Sequence, residues 1–248
     1  MKTTGNSDIG KKRSRNEDRF CFGECAENVY YAIVCDGMGG ASGGQIASRM
    51  TCETVEDKIK KCYNKSMTER SIENLLLSAI TTANVTVYDR AVSDSDLKGM
   101  GTTIVAAVSK DNNVCIAHVG DSRAYYITEN KITQITKDHS LVEEMVRMGE
   151  ITEEEARVHP DRHVITRAVG VTEDAEPDFF DFLLEPGAMI LMCSDGLSNM
   201  IEDEDIRKIL SKGGSLKKLT ETLIGKANEN GGKDNIAVIL TKPDADEV

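Results

Sequence analysis

Apolar residues in this chain come mostly in short β-branched or aromatic runs bounded by Gly, Asp and Asn, with helical spacing in between. Residues 19–35 read as a strand pair ending in Tyr30-Tyr31-Ala32-Ile33-Val34-Cys35, followed by a Gly-rich turn and a helix over about 44–63. Ile72, Leu75, Leu76, Ala79, Ile80, Ala83 and Val87 then recur at three-and-four spacing, the apolar stripe of a core-facing helix. Residues 103–108, 114–119, 124–127 and 132–135 read as strands, and their short polar connections predict antiparallel hairpins. Residues 138–175 break the rhythm. They are polar, helical in part, interrupted by His159-Pro160, and read as a surface flap. Strands resume at 179–184 and 189–193, helices at about 202–210 and 216–228, and a last strand at 236–241. This order predicts an α+β protein: an α-β-β-α sandwich, two central antiparallel sheets flanked by pairs of helices, with a flap insertion at about 138–175. Without repeats or a Pro/Ser-rich linker, residues 1–248 read as a single domain.

Composition narrows the function. The net charge of −12 argues against a general nucleic-acid binder, which needs a basic surface. No run approaches the ~20 apolar residues of a membrane span, and the first residues lack the apolar core of a signal peptide. Trp is absent and aromatics make up 4%, so the core must rest on aliphatic side chains. Seven Cys without a CxxC pair read as reduced, buried thiols of a cytoplasmic protein.

The chemistry lies in aspartates at the ends of these runs. Asp36 stands in Cys35-Asp36-Gly37-Met38-Gly39-Gly40, Asp121 in Gly120-Asp121-Ser122-Arg123, Asp195 in Ser194-Asp195-Gly196, and Asp234 in Lys233-Asp234-Asn235. A carboxylate at the end of a buried strand is costly unless a cation meets it. Several together make an all-oxygen site for Mg²⁺ or Mn²⁺. Rival readings fail on detail. A P-loop needs Gly-Lys-Ser/Thr, and here Gly44 precedes Gln45 and Ile46; a dinucleotide fingerprint from Gly37 and Gly39 would want Gly where Ser42 stands. No Cys has an Arg six residues on, as a Cys-based phosphatase requires, and none of the four His lies in the Asp motifs.

The ordered set resembles the metal-dependent Ser/Thr protein phosphatases of the 2C type, in their bacterial form. It comprises Arg13-Ser14-Arg15-Asn16-Glu17-Asp18, the Asp36 motif, Gly101-Thr102-Thr103, Val119-Gly120-Asp121-Ser122-Arg123, Ile165-Thr166-Arg167-Ala168-Val169-Gly170, Cys193-Ser194-Asp195-Gly196-Leu197 and Lys233-Asp234-Asn235. The resemblance implies hydrolysis of phosphoserine and phosphothreonine in proteins, with two Mn²⁺ or Mg²⁺ ions and a third, weaker one. It implies that Asp36 bridges two ions, that Asp195 and Asp234 complete the first, and that the Gly37 carbonyl and Glu17, through water, serve the second. Asp121 with Asp195 would hold the third, Asp18 would hydrogen-bond a water on the metal, and Arg13 would bind substrate phosphate. Substrates would be phosphoproteins made by a cognate Ser/Thr kinase, in the cytoplasm.

One departure stands out. Animal members carry His, a proposed general acid, where this chain has Met38, which cannot donate a proton. Proton delivery is therefore expected from water on the metal, or secondarily from His159 or His163 in the flap. His118 and His139 read as structural, Arg15 and Arg123 as local ion-pairing residues, and Glu153-Glu154-Glu155 as a solvated helix face. The alternative function is that of an inactive relative acting as a binding or regulatory module, which predicts loss of metal aspartates; Asp36, Asp195 and Asp234 are all present. A nucleotide-binding protein built on the Gly-rich turn would not need Asp234.

Overall fold

The computed structural model describes residues 1–39 and 42–244; Gly40 of the Gly-rich motif lies outside them. In chain order the strands are β1 (Lys2–Asp8), β2 (Arg19–Ala26), β3 (Val29–Cys35), β4 (Gly37–Met38), β5 (Gly101–Thr102), β6 (Ile104–Lys110), β7 (Asn113–Val119), β8 (Arg123–Ile127), β9 (Ile132–Gln134), β10 (Asp178–Leu183), β11 (Met189–Cys193) and β12 (Ile236–Lys242). The α-helices are α1 (Gly43–Cys62), α2 (Glu69–Ser93), α3 (Leu141–Arg147), α4 (Glu153–Val158), α5 (Asp195–Ser198), α6 (Asp203–Ser211) and α7 (Leu216–Glu229).

Two five-stranded antiparallel sheets form the centre. One runs β1-β12-β11-β8-β9 and the other β10-β7-β6-β3-β2, with β4 and β5 as a separate two-stranded ribbon. Strand period two explains why the central strands are apolar throughout. On β3, Val29, Tyr31, Ile33 and Cys35 face α1 and α2, while Ala32 and Val34 face the other sheet. On β12, Ile236, Val238 and Leu240 meet the helices α5 to α7, while Ala237 and Ile239 fill the space between the sheets. Three apolar layers result, and each fully buried aliphatic side chain in them contributes about 1.5–3 kcal/mol. The α2 stripe is buried at every expected position, and Thr68 caps that helix by accepting a hydrogen bond from the Ser71 N–H.

The α-β-β-α sandwich is as the sequence predicts, but one predicted hairpin is absent. The turn Gly120-Asp121-Ser122 does not close a hairpin. β7 lies in one sheet and β8 in the other, so the chain crosses the sandwich at Asp121. The segment after β10 crosses in the same way to reach β11. Gly120, at φ +112, makes the first crossing possible, because a side chain there would be driven into Thr103. β1 and α5 carry no signal in the reading above. β1 is a polar edge strand held by its full-length ladder with β12. All seven cysteines are free thiols, but Cys62 is exposed and Cys21 and Cys25 are half-buried, so only four are buried as expected.

The flap holds α3 and α4. Residues 139–141 are pinned to residues 164–166, on either side of both helices: Ser140 bridges Ile165, the Leu141 N–H donates to the Val164 carbonyl and the Thr166 N–H to the His139 carbonyl. Among the described residues no helix is long and apolar enough to cross a membrane.

Candidate metal centre

Turns from both sheets meet at one end of the sandwich. Arg13 and Glu17 come from the β1–β2 loop, Asp36 and Gly37 from the end of β3, Asp121 from the β7–β8 crossing, Asp195 from the start of α5 and Asp234 from the approach to β12. All seven line one cavity of about 870 Å³. Asp18 is not on its wall. It is buried behind it, against Asp36, and accepts a hydrogen bond from the Ser194 hydroxyl at 2.7 Å.

The backbone around Asp36 is fixed by the Gly101-Thr102-Thr103 motif. The Asp36 N–H donates to Thr103 Oγ1 at 3.0 Å, and its carbonyl accepts from Thr102 Oγ1 at 2.7 Å and the Thr103 N–H at 2.9 Å. Asn235 holds the Arg13–Asp18 loop: its Nδ2 donates to the carbonyls of Ile9 and Arg15, and its Oδ1 accepts the Glu17 N–H. Ser48 of α1 donates to the Glu17 carbonyl. These supporting residues have no role in the sequence reading. Thr102, Thr103, Ser194 and Asn235 lie within motifs quoted there, whereas nothing marks Ser48.

Gly37 and Gly44 touch backbone to backbone. A Cβ on Gly37 would collide with the Gly44 carbonyl and lie 2.7 Å from that of Glu17. Gly37→Ala is therefore expected to displace the Asp36 turn, lowering stability by about 1–3 kcal/mol and activity with it. Thermal melts and phosphate release measured side by side check this; a variant matching the parent in both would contradict it.

The electrostatics are those of carboxylates crowded together, with Arg13, Arg157, Arg162 and Lys233 as the cationic side chains on the same cavity wall. Burial pushes the Asp36 and Asp121 carboxyls well above the usual range, and neighbouring aspartates push them further. Asp195 is raised by burial and by Asp234, and Asp18 reaches about 7, chiefly from burial. Glu17 is raised by burial. Arg13 is the cation that contacts them directly, with Nη2 2.8 Å from Asp234 Oδ2, and that bond raises its own pKa.

The fit to hard cations can be tested on unpartnered atoms. Asp18 Oδ1 and Asp195 Oδ1 are buried and have no hydrogen-bond partner. Buried, unpaired carboxylate oxygens among mutually repelling neighbours are what a divalent cation would satisfy, and the oxygen-only donor set suits Mg²⁺ or Mn²⁺. Among the described residues no three acidic, His or Cys side chains already close on one point as a ready-made cage; the carboxylates stand around the cavity.

Met38 lines the cavity, as does His163, whereas His159 accepts the Asp161 N–H in the turn after α4. His139 clamps the Asp121 turn: its Nδ1 accepts the Gly120 N–H at 3.1 Å and its own N–H donates to the Gly120 carbonyl at 2.7 Å. His118 is fully buried beside it, its ring centroid 4.7 Å from that of His139. Arg123 forms a bidentate ion pair with Asp138, and Arg15 donates to the Ser42 hydroxyl.

A two-sheet sandwich with an acidic cavity at one end defines a class that comparison identifies. The family model described as protein phosphatase 2C matches residues 4–241. The serine/threonine phosphatase stp of Listeria monocytogenes is 40% identical over 238 residues, covering 96% of this chain and 94% of its own. Protein phosphatase PhpP of Streptococcus pneumoniae is 36% identical over 234 residues, covering 94% of each. The crystal structure of serine/threonine phosphatase Stp1 from Staphylococcus aureus superposes with a TM-score of 0.93 at 35% identity, covering 98% of this chain and 95% of that one. The chain belongs to the protein phosphatase 2C family and is a protein phosphatase.

Proposed function

We propose that this phosphatase hydrolyses phosphoserine and phosphothreonine in proteins at the carboxylate cavity, with Mn²⁺ or Mg²⁺ as cofactor. The observation that carries the reading is the convergence of Arg13, Glu17, Asp36, Asp121, Asp195 and Asp234 on one cavity, with buried oxygens of Asp18 and Asp195 left unpartnered. Asp36, Asp195 and Asp234 would hold one ion, Asp36 with Gly37 and Glu17 a second, and Asp121 with Asp195 a third. When bound, such ions neutralise phosphoryl oxygens and acidify water at neutral pH.

The chain's own residues do the rest. Arg13, its side chain about half exposed at the cavity mouth, offers a planar fork for phosphate oxygens once it leaves or shares Asp234. Thr102 and Thr103 keep Asp36 from swinging away from the other carboxylates. Met38 supplies no proton. Of the two candidate flap histidines, His163 is the one on the cavity wall, which supports it over His159 as a side-chain proton donor to a leaving serine or threonine oxygen. Arg157, Val158, Arg162 and Ile165 make the flap one wall of the cavity, which supports a role for residues 138–175 in choosing the phosphoprotein. We take residues 1–248 as a single catalytic unit that acts in the cytoplasm and opposes a cognate Ser/Thr kinase.

The test is phosphate release from a phosphothreonine peptide with Mn²⁺ and with EDTA. Release that requires Mn²⁺ supports the reading. Release unaffected by EDTA would reject the metal, and none with Mn²⁺ or Mg²⁺ would favour an inactive binding module. Arg13→Ala is expected to lower kcat/KM by about 10–10², the worth of a charge-assisted phosphate contact, and steady-state kinetics on the same peptide check it.

A further inference from the structure

Three of the seven cysteines gather behind the cavity. On the β2–β3 ladder Cys21 lies opposite Ile33 and Arg19 opposite Cys35, so Cys21 and Cys35 point to the same face, the one α1 covers. From α1, Cys52 reaches into that face. Its Sγ is 3.1 Å from Cys21 Sγ, and Cys35 is buried in the same cluster. Cys52 is buried and Cys21 half-buried, so the pair is reached from the Cys21 side. The site described above uses none of these thiols. Small apolar packing alone does not require two sulfurs from different elements to be in contact.

We propose that Cys21 and Cys52 are a reversible redox pair: a peroxide joins them in a disulfide that ties α1 to β2 and slows the phosphatase. The oxidant is hydrogen peroxide. The Cys52 sulfur, as thiolate, attacks one peroxide oxygen; the O–O bond breaks, and the departing hydroxide takes up a proton to become water. The Cys21 sulfur then attacks the resulting sulfenic acid. The S–O bond breaks, the S–S bond forms, and a second water leaves with the Cys21 proton. Two thiols lose two electrons and one peroxide gains them. The neighbouring Cys21 and Cys35 thiols pull the Cys52 thiol below its usual range, while Cys21 is raised, which fits Cys52 as the attacking sulfur.

The link to activity rests on the catalytic reading above. Closing the sulfurs from 3.1 Å to a bond of about 2.05 Å draws α1 toward β2. One turn before Cys52 on the same helix, Ser48 holds the Glu17 carbonyl, and Gly44 at the helix start rests on Gly37. A shift of ångström scale in catalytic groups costs up to about 10²-fold; a fall of about tenfold is expected here.

The experiment treats the reduced, full-length protein with hydrogen peroxide, blocks remaining thiols, and maps peptides without reduction. Trypsin leaves Cys21, Cys25 and Cys35 on one peptide, so cleavage after Glu24 and Glu27 is added. The expected result is a Cys21–Cys52 link, with phosphatase activity reduced and restored by dithiothreitol. Cys21→Ala, a change at the half-exposed partner, should keep both its fold and its activity after peroxide, whereas Cys62→Ser should respond like the parent. A Cys35–Cys52 link, Cys52 left reduced or oxidised singly, a link without loss of activity, or inhibition persisting in Cys21→Ala would each overturn the proposal. If the reduced protein proves inactive toward phosphopeptides, that failure belongs to the catalytic reading. The peptide map and its reversal by dithiothreitol would then still decide whether the pair forms.

Discussion

Asp36→Asn is expected to lose about 10³-fold or more in Mn²⁺-dependent phosphate release while melting at a higher temperature than the parent when both are free of metal. The two effects have one origin. Asp36 is raised well above the usual carboxylate range by burial and by repulsion from Asp18, Asp195, Asp121 and Asp234. Asn keeps the shape and the backbone bonds to Thr102 and Thr103 but removes a charge that its neighbours oppose. A carboxylate that costs metal-free stability has its use in the loaded state. Melts in EDTA and in Mn²⁺, with activity on the same samples, check the prediction. The stabilisation that the parent gains from Mn²⁺ should shrink sharply in the variant. A variant less stable in EDTA, or one retaining activity, would remove Asp36 from the centre of the site.

The metal-free protein is expected to lose stability between about pH 5 and 8, and to lose less of it when Mn²⁺ is present. Asp18 has an ordinary value of 3.8 and is raised to about 7 in the folded chain. Between those values the folded state holds a proton that the unfolded chain has released. The Asp18 contribution therefore falls as pH rises through the window and levels off above about 7. Asp36, Asp121 and Asp195 are raised too and act with the same sign. The part of the Asp18 shift that falls above pH 5 corresponds to about 3 kcal/mol, or roughly 5–10 °C in melting temperature for a chain of this size. A cation in the cavity replaces the missing protons as the pH rises. Melting curves in EDTA from pH 5 to 8 test the slope, and a melting temperature that rises toward pH 8 would contradict it.

Legibility from sequence followed the physics of each element. β3, β6, β7 and β12 are buried on both faces, so their Val, Ile and Ala runs announce them. β1 reads Lys-Thr-Thr-Gly-Asn-Ser-Asp, without apolar alternation; its order comes from hydrogen bonds to β12, which no local pattern reports. Gly120-Asp121-Ser122 looks like any hairpin turn, because a short polar turn is needed whether the next strand stays in its sheet or crosses to the other. The aspartates were visible because a carboxylate beside Gly at the end of an apolar run is chemically conspicuous. Ser48 was invisible, since a hydroxyl inside a helix gains its meaning only from the Glu17 carbonyl it meets in space.

The helical part of the flap, residues 141–164, begins and ends at neighbouring points, where Ser140 meets Ile165 and His139 meets Thr166. A segment whose two ends are already side by side can be lengthened, shortened or exchanged at small entropic cost to the rest of the chain. The segment is also tied to the sandwich elsewhere: Arg157 pairs with Glu202, Asp138 with Arg123, and Asn84 of α2 bonds the backbone of Gly170, Thr172 and Glu173, so a replacement cassette would have to keep or rebuild these anchors. The architecture thus separates what must stay fixed from what can diversify: the carboxylate turns belong to the sandwich, and one wall of their cavity is built by a segment whose helices lie outside it.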